Sequence, residues 1–401
     1  MIILITGGSG YLGQFLIERF LEISEVAEVH YSSSSPKSKL SDLIHERYEN
    51  RLFSHACDFE TGEGVEEMID MTSKREYLEG NRNRNLKLVI NCTAISQPKL
   101  CEEDEEKARK VNCPTFLVEA LKKKYYYKQK HKSDEENANE THQPPPLLVH
   151  MSTDQVFCGK YANTHEDDRR IDAFEPINAY GRSKKYAENY LLENYDNKAL
   201  IILRSSVITG PQPPYRSVDR PLFLDFIAKT CPPNTYTATA EEEEYIKVED
   251  ENAAVEFWTD EFRNPVSRID LTEAIVNCFE IYVKLRRKRK ENSFLFEENI
   301  EGEGEGEGVI YHAGGPERLS RYDMVNIFCH TMKASKKRAK PAEKKSKVFP
   351  ANIAVQTPAD ISMNSERFSK VLRNGVRLKP FKEQVIDSTT VFLSSILANA
   401  R

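Results

Sequence analysis

Residues 6–13 decide the fold, and they read Thr6-Gly7-Gly8-Ser9-Gly10-Tyr11-Leu12-Gly13. The stretch directly follows an apolar run and opens an amphipathic helical pattern. Its glycines let the backbone turn tightly, let a diphosphate approach the amide N–H groups, and let the helix pack on the strand. The pattern predicts the phosphate-binding turn of a dinucleotide site at a helix N-terminus, and the alternative is a purely structural glycine turn. The residues predicted to line the cofactor here are Gly7, Gly10, Tyr11, Leu12 and Gly13.

Short apolar runs alternate with helical patterns through the first half of the chain. The predicted strands are Met1–Ile5, Val26–Tyr31, Arg51–Cys57, Leu86–Cys92, Leu147–Ser152 and Ala199–Arg204. Helical patterns lie between them near 11–22, 63–79, 103–124 and 178–195. Strand–helix alternation of this kind indicates βαβ crossovers, hence a parallel sheet covered on both faces. We therefore predict an α/β fold with a doubly wound parallel sheet.

Strand and helix patterns alternate less regularly after Arg204, and this change predicts a second structural unit. We expect a cofactor-binding domain at 1–205 and a smaller C-terminal α/β substrate lobe at 206–401, with some segments returning to the first domain. The predicted elements of the lobe are helices near 221–230, 271–285, 320–333 and 382–398, and strands near 254–258, 264–269 and 309–313.

Four charged stretches interrupt this plan, at 125–146, 232–253, 286–308 and 333–347. Each has too few apolar residues to pack, so each is predicted to be a solvated insertion. Their basic runs also resemble nuclear-localisation signals or nucleic-acid-binding patches, but acidic runs lie close by and offset the positive electrostatic field.

Composition excludes several classes of function. The 57 Lys and Arg against 63 Asp and Glu give a net charge of −6, so we expect neither nucleic-acid nor membrane binding. No apolar run approaches the ~20 residues that span a bilayer. The eight cysteines show no C-x-x-C pair and no metal spacing, which indicates reduced thiols in a cytoplasmic protein and no metal site.

The end of the second predicted strand bears on cofactor choice. It reads His30-Tyr31-Ser32-Ser33-Ser34-Ser35 and is followed by Lys37 and Lys39. A site for NAD places a carboxylate here to bind the ribose 2′-hydroxyl, whereas hydroxyls and lysines suit a 2′-phosphate. NADP is favoured, with Ser32 among its ligands, and NAD is the alternative. Asp58, just after the third strand, is placed to face the adenine.

A second constellation combines a phenol, an amine and a hydroxyl. Tyr180 and Lys184 lie four residues apart on one face of a predicted helix. An ammonium beside a phenol favours the ionised phenol and so makes it a usable acid. Thr153 ends the preceding strand, at the edge of the sheet where α/β proteins bind their ligands.

These motifs together resemble a known family. The glycine turn, the run Asn91-Cys92-Thr93-Ala94, the run S-T-D-Q-V-F at 152–157 and the Y-G-R-S-K at 180–184 are similar to the extended short-chain dehydrogenases/reductases. Within these, the chain resembles the dTDP-4-dehydrorhamnose reductase group, which includes the regulatory β subunit of methionine adenosyltransferase. Further similarity lies at 260–266, 311–320 and 360–364.

The resemblance implies a Rossmann domain and a role for each matching residue. Thr153 would polarise the substrate carbonyl, and Tyr180 would donate the proton. Lys184 would bind the nicotinamide ribose and assist Tyr180, and Asn112 would anchor a proton-relay water. Three residues at and just after the end of the fourth strand would also line the cofactor: Asn91, Thr93 and Ala94.

Two functions follow from the resemblance. The first is an NADPH-dependent reductase of a carbonyl substrate, a 4-keto sugar nucleotide. The second is a cofactor-binding regulatory subunit that docks on the methionine adenosyltransferase catalytic subunit and has little turnover of its own. Both groups keep the turn and the Tyr/Lys pair, so these motifs do not separate them. Two histidines, His150 and His312, are expected to have structural roles.

Overall fold

A computed structural model describes residues 1–34, 39–78, 85–126, 144–170, 172–218, 222–232, 254–291, 309–344, 355–371 and 377–389. The strands in chain order are β1 Ile2–Thr6, β2 Glu28–Ser33, β3 Leu52–Ala56, β4 Leu86–Asn91, β5 Leu147–Thr153, β6 Leu200–Ser205, β7 Ile208–Thr209, β8 Val255–Trp258, β9 Phe262–Arg263, β10 Val266–Ser267, β11 Val309–Ala313, β12 Leu319–Ser320 and β13 Ala339–Ala342. The helices are α1 Tyr11–Leu21, α2 Asp42–Arg47, α3 Val65–Leu78, α4 Pro98–Glu103, α5 Glu105–Asn112, α6 Thr115–Tyr125, α7 Ala179–Asn194, α8 Phe223–Thr230, α9 Arg268–Glu291, α10 Arg321–Met332, α11 Glu366–Val371 and α12 381–389.

The central sheet has seven parallel strands in the order β11-β6-β5-β4-β1-β2-β3. Neighbouring side chains of β1 point to opposite faces of this sheet. Ile3 and Ile5 pack in the cluster that contains α1 and α9, whereas Ile2 and Leu4 pack in the cluster that contains α3 and α6. All four are fully buried, which is why these strands read as continuous apolar runs. The predicted doubly wound Rossmann architecture is confirmed.

The second lobe is built from short strand pairs over a smaller core. The strand β7 pairs with β10, β9 with β12 and β8 with β13. Its core contains Leu224, Ile227, Phe257, Phe328 and Phe381. After crossing this lobe the chain returns to the central sheet, where β11 pairs with β6. The division into 1–205 and 206–401 remains a prediction.

The structure differs from the predicted elements at two prolines. The helix predicted near 103–124 is two helices, because Pro114 disfavours helical backbone at Cys113 and α5 ends at Asn112. The strand predicted near 264–269 contains only Val266–Ser267, because Pro265 has no N–H to donate and α9 already begins at Arg268.

Two predicted insertions contain more structure than expected. The prediction for 333–347 was wrong at 339–344, because β13 pairs with β8 and Lys344 lies 3.1 Å from the buried Glu261 carboxylate. The stretch is therefore held by backbone hydrogen bonds and an ion pair and not by the burial of apolar side chains. The prediction for 286–308 was wrong at 286–291, where α9 continues as helix. Residues 127–143, 233–253, 292–308, 345–347 and 390–398 of the predicted insertions and last helix lie outside the described residues.

The described ranges contain neither a membrane-spanning helix nor a cluster of metal ligands. No helix in them combines the length and apolar character needed to cross a membrane. No group of three or more His, Cys, Asp or Glu in them is arranged to hold a metal ion. The eight cysteines are all free thiols.

Candidate active site

The glycine turn joins β1 to α1 in a conformation that requires glycine. Gly7 has a φ of 66°, in the left-handed region. A Cβ on Gly13 would lie 2.6 Å from both the Gly7 carbonyl oxygen and Gly8 Cα, so any side chain there would displace the turn. Gly10 is the N-cap of α1 and supplies no side chain to the first amides. The turn therefore leaves room and donors for an anion at the helix N-terminus.

The end of β4 forms the wall beside this turn. The side-chain oxygen Oδ1 of Asn91 accepts hydrogen bonds from the Thr6 hydroxyl at 2.7 Å and from the Thr93 backbone amide at 3.2 Å, and Asn91 Nδ2 lies 2.9 Å from His150 Nδ1. Asn91 is thus a buried support of the turn and of Thr93. The Thr93 hydroxyl is buried and has no partner among the described residues. A buried hydroxyl without a protein partner beside a glycine cradle fits a polar cofactor. Ala94 follows Thr93 and is half-buried.

Ser32 and Asp58 both bind protein backbone. The buried Ser32 hydroxyl accepts a hydrogen bond from Gly7 N at 2.9 Å, so it supports the glycine turn. Asp58 is exposed, and its Oδ1 accepts from the amides of Glu60 at 2.7 Å and Thr61 at 3.4 Å. These contacts make Ser32 a support of the glycine turn and give Asp58 a capping role after β3, and the predicted contacts of both residues with a cofactor stay predictions.

Thr153 ends β5 at the carboxyl edge of the sheet and is 5 % exposed. Its hydroxyl accepts from Gln155 N at 3.2 Å and donates to Asp154 Oδ1 at 3.2 Å. The Thr153 hydroxyl is therefore held in place by the turn that follows it.

Tyr180 lies in the first turn of α7, which is tied to that same turn. The N-cap Asn178 accepts from Gly181 N at 2.8 Å and donates from Nδ2 to Gln155 Oε1 at 2.8 Å. A Cβ on Gly181 would lie 2.1 Å from the Gln155 carbonyl oxygen, so only glycine permits this approach. The contacts bring Tyr180 and Thr153 to one edge of the sheet.

Lys184 lies one helical turn after Tyr180 and is only 2 % exposed. Its Nζ donates to the Met151 carbonyl oxygen at 2.7 Å. Burial lowers the pKa of Lys184 to about 8. A buried lysine with a strongly shifted pKa at a ligand-binding edge is typical of a functional site.

Asn112 holds the loop after β4 against α7. Its Oδ1 accepts from Ile95 N at 2.7 Å, and its Nδ2 donates to Ile95 O at 3.2 Å and to Ser183 Oγ at 2.8 Å. The structure thus brings Asn112 to α7 beside Tyr180 and Lys184. Its water-anchoring role remains a prediction.

Comparison with known proteins decides the family. A sequence model of the family described as the RmlD substrate binding domain matches residues 1–214, more than half of the chain. The chain belongs to this family. The predicted resemblance to the dTDP-4-dehydrorhamnose reductase group is therefore confirmed.

One curated relative of this RmlD-family chain is a probable low-salt glycan biosynthesis reductase of Haloferax volcanii. The two are 27% identical over 212 residues, which are 52% of this chain and 54% of the relative. The chain thus matches about half the length of that relative.

Solved structures share the fold over nearly the full chain. A hypothetical dTDP-4-dehydrorhamnose reductase from Sulfolobus tokodaii is 22% identical, with a TM-score of 0.58 and coverage of 95% of this chain and 98% of that one. The dTDP-4-dehydrorhamnose reductase of Bacillus anthracis, in complex with NADP, is 15% identical, with a TM-score of 0.59 and coverage of 97% and 98%. The dTDP-glucose 4,6-dehydratase of Bacillus anthracis, in complex with NAD, is 17% identical, with a TM-score of 0.62 and coverage of 98% and 97%.

This RmlD-family chain also has a buried ion pair that the sequence analysis missed. Arg204 binds Glu188 through two hydrogen bonds of 2.9 and 2.8 Å, and Ser152 Oγ donates to the same carboxylate at 2.6 Å. Burial acts to raise the pKa of Glu188, but Arg204, Lys185 and the Ser152 hydroxyl together outweigh it and lower that pKa. His312 bridges Arg204 and the Thr164 carbonyl, a structural role. The sequence signal was Glu188 four residues after Lys184, on the same helix face.

Proposed function

We propose that this chain is an NADPH-dependent reductase of a carbonyl substrate, a 4-keto sugar nucleotide. The observation that carries the proposal is the buried Lys184 one helical turn from Tyr180, at the sheet edge that also holds Thr153. The names of the Haloferax volcanii and Sulfolobus tokodaii relatives support reduction as the reaction class and a sugar nucleotide as the substrate class.

The residues present fit a nicotinamide dinucleotide. The turn at Gly7, Gly10 and Gly13 would hold the diphosphate, Thr93 would bind the cofactor with its unpartnered hydroxyl, and Lys184 would bind the nicotinamide ribose. When bound there, NADPH would supply a hydride for the carbonyl carbon.

The chain's own groups manage the proton and the carbonyl. Tyr180 donates a proton to the carbonyl oxygen as general acid. Lys184 favours loss of that proton from Tyr180 by placing a positive charge beside it. Thr153 donates a hydrogen bond to the same oxygen and so polarises the carbonyl.

We expect the affinity for NADPH to exceed the affinity for NADH by about tenfold or more. The end of β2 carries no carboxylate, and Ser34 and Lys39 lie after it on the surface. A single hydrogen bond to a charged phosphate is worth ~1.5–3 kcal/mol, about tenfold or more in affinity. Fluorescence titration of both cofactors at fixed salt measures the ratio. In the variant Lys39→Ala, NADPH affinity should fall, and NADH affinity, which does not depend on a 2′-phosphate contact, serves as the control and should stay the same. Equal affinities in the wild type would exclude this assignment.

The proposed activity is tested by following NADPH oxidation with dTDP-4-dehydrorhamnose as the substrate. Oxidation that requires both the sugar nucleotide and the protein supports the reductase. If the protein oxidises no NADPH with any keto sugar nucleotide but copurifies with methionine adenosyltransferase from cell extract, the reductase proposal is wrong.

A further inference from the structure

Asp154 is a buried carboxyl in direct contact with the Thr153 hydroxyl. It begins the turn Asp154–Val156 after β5 and is 4 % exposed. Its Oδ1 lies 3.2 Å from Thr153 Oγ1, and its Oδ2 accepts from the Ser206 hydroxyl at 2.8 Å. Both oxygens therefore have a hydroxyl partner inside the protein.

The number of protons in this contact limits what Thr153 can do. A threonine hydroxyl has one proton and two lone pairs, and one lone pair of Thr153 already accepts from Gln155 N. An ionised Asp154 can only accept hydrogen bonds, so the Thr153 hydroxyl donates its one hydrogen bond to Asp154. In that state Thr153 has no proton to donate to a substrate carbonyl.

Protonation of Asp154 reverses this hydrogen bond. A proton on Oδ1 is donated to Thr153 Oγ1, which then accepts two hydrogen bonds and directs its own proton away from Asp154. The Ser206 hydroxyl continues to donate to Oδ2, so the carboxyl does not need to move. We propose that Asp154 is a positioning residue whose protonation state sets whether Thr153 can donate a hydrogen bond to the substrate carbonyl. The inference rests on the proposed reductase, in which Thr153 has that partner.

The surroundings of Asp154 shift its titration toward the protonated form. Burial raises the pKa of Asp154, and the charged groups that oppose this are Arg263 of β9 and Arg321 of α10. Both arginines bind Glu261, at 3.1 and 3.0 Å. Burial acts to raise the pKa of Glu261, but Arg263, Arg321 and Lys344 outweigh it and lower that pKa to about 2. Glu261 therefore stays ionised and offsets the positive charge that Asp154 experiences.

Contacts with the second lobe fix the carboxyl in this geometry. The Ser206 hydroxyl accepts from Asn264 N at 3.2 Å while it donates to Asp154. The Asn264 side chain in turn donates to Gly315 O at 3.2 Å and accepts from Met363 N at 3.0 Å. Because Ser206 is held from this side, its proton stays directed at Asp154 Oδ2. Only the hydrogen bond between Asp154 Oδ1 and the Thr153 hydroxyl can therefore reverse its direction.

The pH dependence of turnover tests the proposal, with NADPH and dTDP-4-dehydrorhamnose as the probes. As pH rises through the titration of Asp154, wild-type kcat should fall about tenfold, the effect of losing one hydrogen bond to the transition state. Asp154→Asn should remove this decrease, because the amide donates to Thr153 and accepts from Ser206 at every pH. The variant should keep only the pH dependence that Lys184 gives near pH 8.

A matched control and a second readout complete the test. Asp225 is another aspartate whose pKa burial raises, and it binds Gln212 away from Thr153. Asp225→Asn should therefore keep the wild-type profile. Infrared spectra of the full-length protein without substrate should show a protonated-carboxyl band that Asp154→Asn removes. A wild-type pH profile in Asp154→Asn, or protonated-carboxyl absorption as intense in Asp154→Asn as in the wild type, overturns the proposal. If no keto sugar nucleotide is reduced, the proposed function fails, and the infrared band alone then decides the protonation of Asp154.

Discussion

Tyr180→Phe is expected to lower turnover by about a hundredfold or more, because it removes a positioned general acid. NADPH affinity should barely change, since the ring remains and continues to pack with Cys101, Ala108 and Ala179. Steady-state kinetics with a keto sugar nucleotide and fluorescence titration of NADPH measure the two effects separately.

Tyr186→Phe is the matched control for this variant. Tyr186 lies on the same helix but is 44% exposed, and its ring contacts Arg109. The same loss of a hydroxyl should leave turnover within about twofold of wild type, as expected for a surface position. If Tyr180→Phe and Tyr186→Phe lose activity equally, or if Tyr180→Phe remains fully active, Tyr180 is not the proton donor.

Lys184→Met is expected to lower turnover about a hundredfold and to weaken NADPH binding, because both the charge beside Tyr180 and the ribose ligand are lost.

The Lys184→Met variant should also be more stable than the wild type. Burial lowers the pKa of Lys184 from 10.5 to about 8, so at pH 7 the folded state carries a cost of about 3 kcal/mol for this charge. The Met151 carbonyl loses its donor, which costs ~1–3 kcal/mol. A net gain of about 1 kcal/mol in the free energy of unfolding remains.

The sign of this stability effect depends on pH. The cost of the buried charge is fully present below about pH 8 and disappears as pH rises toward 10.5, where the unfolded lysine also loses its proton. Denaturant unfolding at several pH values should show the gain of Lys184→Met shrinking over that range. The control Lys110→Met removes an exposed lysine paired with Glu106 and should change stability by less than about 0.5 kcal/mol at any pH. A loss of stability in Lys184→Met at pH 7 would contradict the account.

Local sequence determined the parts of the structure that were predicted correctly. The turn at Gly7–Gly13 follows from backbone geometry that only glycine permits, and the pair Tyr180 and Lys184 follows from the period of one helix. These features need no knowledge of distant residues. The break at Pro114 was equally local, and the sequence contained the signal for it.

The features that sequence did not predict depend on partners far apart in the chain. Arg204 meets His312 only because β11 joins the sheet beside β6. Lys344 is held by Glu261, 83 residues earlier, so a lysine-rich stretch that looked solvated is pinned to the fold. The hydroxyl of Ser32 accepts from Gly7 N, 25 residues earlier, a contact that the sequence did not predict, and the role of Ser32 as a cofactor ligand stays a prediction. A periodic pattern gives the face on which a side chain lies, and tertiary contacts decide what it binds.

The most direct test of the proposed reaction follows a labelled hydrogen. NADPH that carries deuterium at the transferred position is incubated with the protein and dTDP-4-dehydrorhamnose, and the sugar nucleotide is analysed by mass spectrometry. The proposed reductase predicts a reduced sugar nucleotide with one deuterium on the former carbonyl carbon, and almost none with Tyr180→Phe. A keto sugar nucleotide recovered unreduced and unlabelled, from a protein that still binds NADPH, would contradict the account.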